Sequence, residues 1–209
     1  MTDESNQAAE TYDSISAAYA ETFSEPSNHI NDFLRLIPKE GKVLDAGCGP
    51  GVDSVYMSAK GFRVIGVDLS SQMLELAKEK SHDAEFQLAD IREISFDDET
   101  LDGVLASYSL IHLPKKDVPK TIDNFFRMLK PGGAICIGIQ EGKSAEVFLP
   151  EPLKPEEKMF LNVMSAKELK ELVKNGGFEI TSEFTRPASE TEAGEFDFNK
   201  FTLIAQKAA

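Results

Sequence analysis

The stretch Val43-Leu44-Asp45-Ala46-Gly47-Cys48-Gly49-Pro50-Gly51 constrains the fold of this chain more than any other. A short apolar run ends in an aspartate, passes through three alternating glycines and meets a helical pattern at 52–60. Gly47 and Gly49 let the backbone turn sharply and approach a ligand with no Cβ in the way. The helix that follows opens with N–H groups that have no partner within the helix, and they point into the same space. Strand, glycine loop and helix in this order imply a parallel sheet, whose ligands bind beyond the carboxyl ends of the strands.

The rest of the chain keeps that alternation. Strands are expected at 42–46, 62–67, 84–88, 102–107 and 134–140. Helices are expected at 52–60, from a Ser70 cap through 80, and at 118–129 before Lys130-Pro131-Gly132-Gly133. Such spacing predicts βαβ units and a sheet covered on both faces. The tail departs from the pattern. After a helix at 165–175, strands at 178–184 and 198–206 flank the polar, turn-like PASETEAGE, so they should pair antiparallel. Upstream, Tyr12, Ile15, Tyr19 and Phe23 share one face of a helical segment at 5–24. Pro26 ends it, Ser27 or Asn28 can cap the next helix, and Phe33, Leu34 and Ile37 give that helix an apolar side. Residues 141–164 fit no alternation, because Pro150, Pro152 and Pro155 interrupt the apolar residues there. A stretch that long between elements is often functional.

Charge narrows the class. With 22 Lys and Arg against 36 Asp and Glu, the formal charge is −14, which disfavours nucleic acid and favours neutral or cationic small molecules. No apolar run approaches the roughly 20 residues that cross a bilayer. The polar, acidic N-terminus does not read as a signal peptide. Cys48 and Cys136 lie far apart, so two reduced thiols in a cytoplasmic protein are expected, with no metal site. The run Glu190, Glu192, Glu195 and Asp197 reads as a solvated hairpin connection.

Asp68 closes the second strand in RVIGVDLSS, where a carboxylate can accept hydrogen bonds from both hydroxyls of a ribose. It could equally cap the helix that starts after Ser70. Asp53 reads as a carboxylate favoured by the helix N-terminus rather than a ligand contact. His112, after the fourth strand, has an ordinary pKa near 6.5 suited to a general base, though packing beside its loop is also compatible.

The ordered blocks VLDAGCGPG, GVDLSSQML, LADIREISF, LDGVLASYSLIHLP and RMLKPGGAICI resemble the class I S-adenosylmethionine-dependent methyltransferases. The likeness is to their small-molecule branch, which includes ubiquinone/menaquinone-biosynthesis-like enzymes, and it covers about residues 10–140. It implies a Rossmann-like, seven-stranded, mostly parallel sheet with helices on both faces and an antiparallel last strand. It implies S-adenosylmethionine as cofactor and a small-molecule methyl acceptor. By the same resemblance, Gly47 and Gly49 face the methionine part and Asp45 positions its amino group. Asp68 holds the ribose with Leu69 against the adenine, and Asp90 and Ile91 meet the adenine edge. Ser107 lies near the methionine part, and Tyr12 and Tyr19 close over the cofactor. The single domain then divides into cover helices (1–38), cofactor core (39–140), acceptor lid (141–164) and a C-terminal helix and hairpin (165–209). Two other readings share the loop. One is a nicotinamide-dependent oxidoreductase, whose G-x-G-x-x-G fingerprint fails here because position 52 is Val. The other is a non-catalytic S-adenosylmethionine-binding protein.

Overall fold

Strand residues that are apolar on both sides leave neither face of a sheet free to meet water, so helices must cover both. That is how residues 4–209 are arranged in the computed structural model, which describes those residues. The chain runs α1 (Glu4–Thr22), α2 (Ile30–Leu34), β1 (Lys42–Ala46), α3 (Val52–Ala59), β2 (Arg63–Asp68), α4 (Ser71–Lys80) and β3 (Glu85–Leu88). It continues through β4 (Leu101–Ser107), α5 (Val118–Met128), β5 (Leu129–Glu141), β6 (Ala145–Glu151) and β7 (Lys154–Val163). It ends with α6 (Ala166–Asn175), β8 (Phe178–Arg186) and β9 (Asn199–Lys207). The main sheet has the order β3-β2-β1-β4-β5-β9-β8, with β6 and β7 forming a separate hairpin. Pairings from β3 through β5 are parallel, and β9 runs antiparallel to both β5 and β8. The expected seven strands and antiparallel last strand are therefore present.

The two faces carry separate apolar clusters. Leu44, Val67, Val104 and Ile137 meet Ile122 and Phe125 of α5 and Leu169 and Val173 of α6 on one face. Val43, Val64, Leu105 and Cys136 meet Phe33 of α2 and Met57 of α3 on the other. In α5 the fully buried Val118, Ile122, Phe125 and Met128 recur at three and four residues, which puts them on the stripe facing the sheet.

Two local expectations change. Residues 145–163 form a hairpin, where prolines had hidden any strand pattern. Pro150 and Pro155 are tolerated because a two-stranded ribbon consists only of edges, so an N–H can be absent without breaking a central ladder. The N-cap of α2 is His29, in left-handed conformation at φ 66°, rather than Ser27 or Asn28. The Ser27 hydroxyl is held elsewhere, by Asp53.

Gly51, the N-cap of α3, has φ 78°, and a Cβ there would lie 2.7 Å from the Ala77 Cβ and 3.1 Å from its Cα. Gly61 also has positive φ but open space around it. Gly61→Ala should therefore cost about 1 kcal/mol, for backbone conformation alone. Gly51→Ala should cost roughly 3 kcal/mol, because α4 must also move. Urea midpoints measure both, and equal losses would mean that α4 yields freely.

Candidate functional site

The turn after β1 is held from β2. The N–H groups of Gly47 and Cys48 both donate to the Val67 carbonyl, at 2.8 and 2.9 Å. Gly49 N–H donates to Asp68 Oδ2 at 2.8 Å, and Ser70 N–H donates to Asp68 Oδ1 at 2.8 Å. Gly47, at φ 81°, passes so close to Ser109 that a Cβ would lie 2.4 Å from the serine Cβ. Gly49, at φ 50°, is different, since a Cβ there would meet nothing within 4 Å. The loop is thus packed on one side and open on the other.

The open side borders two cavities. The larger, about 400 Å³, is lined by Asp45, Ser107, Tyr108, Gln140, Arg186 and Lys200 among others. The smaller, about 100 Å³, is lined by Asp68, Leu69, Met73, Ala89, Ile91 and His112 among others. Tyr12, Tyr19, Gly47, Gly49 and Ser107 line both, so the cavities meet at the loop. Of the cofactor-contact and catalytic residues singled out from the sequence, Asp90 borders neither. Its carboxylate accepts from Arg92, through the backbone N–H at 2.8 Å and through the guanidinium Nε and Nη2.

Burial dominates the electrostatics. Asp45 is 2% exposed and accepts from Ser54 Oγ at 2.6 Å. Desolvation, aided by the nearby Asp53 charge, pushes its carboxyl well above the usual carboxylate range, with the Ser54 hydroxyl pulling the other way. Asp68 is also raised by burial, with the Ser70 and Gly49 N–H groups pulling the other way.

The N-terminal segment is tied over the cavities by polar contacts. Asp13 Oδ1 accepts from Ser70 Oγ at 2.5 Å and from Gln72 N–H at 3.0 Å, joining α1 to the start of α4. Ser27 donates to Asp53 through its N–H (2.7 Å) and hydroxyl (2.5 Å), and its Oγ lies 2.8 Å from Ser107 Oγ. Asp53, at the N-terminus of α3, is therefore an anchor for the cover segment. Tyr12 and Tyr19 meet edge to face, with ring centroids 5.4 Å apart.

His112 belongs to the same cover. Its Nδ1 lies 3.1 Å from the Phe160 carbonyl, which can only accept, so Nδ1 carries the proton. Its Nε2 then accepts from the Tyr12 hydroxyl at 2.9 Å. Burial lowers its pKa to about 4, so the ring is neutral and both nitrogens are engaged.

Several cavity residues carried no sequence signal. Gln140 lies one residue before the end of β5, Glu151 ends β6, and Arg186 and Lys200 sit on β8 and β9. The acidic connection between the last two strands is largely solvated as expected, with Glu190, Glu192 and Asp197 exposed, but it runs along the mouth of the larger cavity and half-buries Glu195 there. Arg186 draws it in through an ion pair with Glu195.

Parallel strands, a glycine loop at the crossover, and a carboxylate closing β2 define a nucleotide-cofactor site of the doubly wound α/β class. Residues 43–133 match the family model described as a methyltransferase domain. Phosphoethanolamine N-methyltransferase 1 of Zea mays is 35% identical over 133 residues, covering 60% of this chain and 26% of the relative. Demethylmenaquinone methyltransferase of Clavibacter sepedonicus is 31% identical over 141 residues, covering 63% of this chain and 57% of the relative. The matches thus span less than two thirds of either relative's own length. Among solved structures, Burkholderia thailandensis 1,6-didemethyltoxoflavin-N1-methyltransferase, with bound 1,6-didemethyltoxoflavin and S-adenosylhomocysteine, overlays with a TM-score of 0.73. It is 20% identical, and the match covers 97% of this chain and 88% of that one. Residues 43–133 thus match a methyltransferase domain, and the relatives named here, like the solved structure, are methyltransferases to which this chain is similar.

A buried neutral His112 makes stability depend on acid. Between about pH 6.5 and 4 the unfolded chain binds a proton that the folded histidine does not. Stability present above pH 6.5 is therefore lost as pH falls toward 4, by on the order of 3 kcal/mol in full. His112→Asn should flatten this part of the profile, read by urea unfolding at pH 7.5, 5.5 and 4.5. Identical pH slopes for the two proteins would exclude a buried neutral imidazole.

Proposed function

We propose that this protein transfers a methyl group from S-adenosylmethionine to a small-molecule acceptor. The observation that carries the reading is that two cavities, one beside Asp68 and one beyond Asp45 and Ser107, meet at the open face of Gly49. Such a pair suits a cofactor in one and an acceptor in the other. The cofactor supplies an electrophilic methyl: the acceptor's lone pair bonds to that carbon, the S–C electrons return to sulfur, and any acceptor proton leaves to solvent.

The residues fit that cofactor. Each Asp68 oxygen accepts one backbone N–H and keeps lone-pair capacity for a ribose hydroxyl. Leu69, Met73, Ala89 and Ile91 offer apolar walls for a flat base. The Asp45 carboxyl, made harder to ionise by burial, would ionise more readily beside an ammonium, since an opposite charge offsets desolvation. Asp90 would take part only by leaving Arg92 or sharing it.

The protein's own work is alignment and exclusion of water, because the donor is already activated. Fixed orientation can lower a barrier by roughly 7–11 kcal/mol. The role we assign to His112 is holding Tyr12 over the site rather than removing a proton, given its engaged nitrogens and lowered pKa. Residues 141–164 serve as a wall and lid, with Glu151 of β6 reaching the larger cavity. The formal charge of −14 favours a small acceptor over nucleic acid. No helix among the described residues is long and apolar enough to cross a membrane. Two free buried cysteines accord with a cytoplasmic location. The acceptors named for the relatives differ in chemistry, so they leave this chain's acceptor open.

Calorimetry with S-adenosylmethionine, S-adenosylhomocysteine and NADH tests the reading. Both sulfur ligands should bind, and Asp68→Ala should weaken them at least tenfold with circular dichroism unchanged. Firm NADH binding with no response to either sulfur ligand would refute it, and unchanged affinity in Asp68→Ala would remove that residue from the site.

A further inference from the structure

The far end of the larger cavity carries a row of polar side chains that the cofactor does not need. Gln140 on β5 pairs with Lys200 on β9, and Lys200 pairs with Arg186 on β8. Directly paired residues point to the same face of a sheet. The three side chains therefore stand side by side on one rung, and all line the cavity. Neighbouring strands lie about 4.8 Å apart, so the backbones of the two end residues are roughly 10 Å apart.

The bonding along this rung is incomplete at both ends. Gln140 is 6% exposed, yet its Oε1 has no partner. The Nε of Arg186 is likewise buried and unpartnered. A buried polar atom without a partner costs about 1–3 kcal/mol, a cost that a bound molecule can relieve. The central residue is largely engaged, since Lys200 Nζ donates two of its three N–H groups to the carbonyls of Phe196 (2.6 Å) and Phe198 (3.0 Å). What lacks a partner is an amide oxygen at one end and an N–H donor at the other.

Charge restricts what can sit there. The Arg186 guanidinium is paired with Glu195 and also donates to the Glu190 carbonyl at 2.7 Å. Glu195 and Asp197 also face the Lys200 ammonium, so both cations of the rung already stand against carboxylates and leave little positive charge for a phosphate. Glu151 and Glu192 add further carboxylates to the wall. A simple ammonium would find carboxylates but would leave the Arg186 Nε without an acceptor. One step along the same face, Tyr108 lies over Gly138, where a Cβ would come within 3.3 Å of the ring. Tyr108 holds φ 57°, a conformation rare for a bulky residue and most often kept where a site requires it. Its ring supplies a flat apolar surface beside the polar row.

We propose that the row Gln140–Lys200–Arg186 reads the methyl acceptor, and that the acceptor is a neutral planar molecule with an N–H/C=O edge, of the lactam or amide type. Its donor–acceptor edge meets the Gln140 amide, an oxygen or ring nitrogen accepts from Arg186 Nε, and its plane lies against Tyr108. This rests on the methyltransferase reading above.

The test uses the full chain saturated with S-adenosylhomocysteine. Uracil, hypoxanthine and 2-pyridone represent the lactams, with ethanolamine, phosphoethanolamine and catechol as other chemistries. Calorimetry reads binding, and mass spectrometry reads methylation with S-adenosylmethionine. At least one lactam should bind and gain a methyl group, ahead of the other three compounds. Gln140→Leu should weaken that lactam at least tenfold, and Gln140→Asn and Arg186→Lys by less, with S-adenosylhomocysteine affinity kept within twofold in each. Retained cofactor affinity shows that the variants are folded. Preference for any of the other three compounds, absence of binding by all lactams, or unaltered lactam affinity in Gln140→Leu would overturn the proposal. If the wild-type chain does not bind S-adenosylhomocysteine, the methyltransferase reading falls first, and this inference with it.

Discussion

The site depends on the backbone hydrogen bonds that staple the turn after β1 to the end of β2. Two N–H groups share the Val67 carbonyl, and a third reaches the Asp68 carboxylate. Three glycines at positive φ make this geometry accessible, because other side chains would clash or strain there. Both cavities border the resulting loop. Without this turn, α3 would not start where it does, and Asp68 would lose one of the two N–H groups that balance its buried charge.

A second set of polar contacts closes the N-terminal segment over that turn. Asp13 reaches the start of α4, Ser27 links Asp53 to Ser107, and Tyr12 reaches His112. Each is a local hydrogen bond of modest net worth, about 1 kcal/mol when neutral and more when charged. Together with the buried Ala8 and Ile15 of α1, they hold this segment above the place where a ligand must enter.

The buried carboxyls share one logic. Asp45 is buried and Asp53 and Asp68 are half-buried beside it, so each is harder to ionise than usual. Hydroxyl and N–H donors offset part of that cost. A site built this way is unfavourable to further anions and receptive to a cationic ligand.

Much of this was legible in the chain. Period and punctuation determined the alternating elements, and the loop with Asp68 determined where a nucleotide-like ligand would sit, because short-range sterics govern both. The antiparallel end of the sheet also followed, since no helix fits between the last two strands. The hairpin at 145–163 was hidden because its prolines suppress a strand pattern that only an edge can tolerate. Asp53 looked like a helix-end carboxylate, and only the folded chain brought Ser27 to it. Gln140, Arg186 and Lys200 lie in three separate segments, with no spacing that links them. Their alignment comes from the register of β5, β9 and β8, a long-range pairing that local sequence does not encode. The sequence by itself determined the cofactor loop, and the tertiary structure alone decided what stands opposite it.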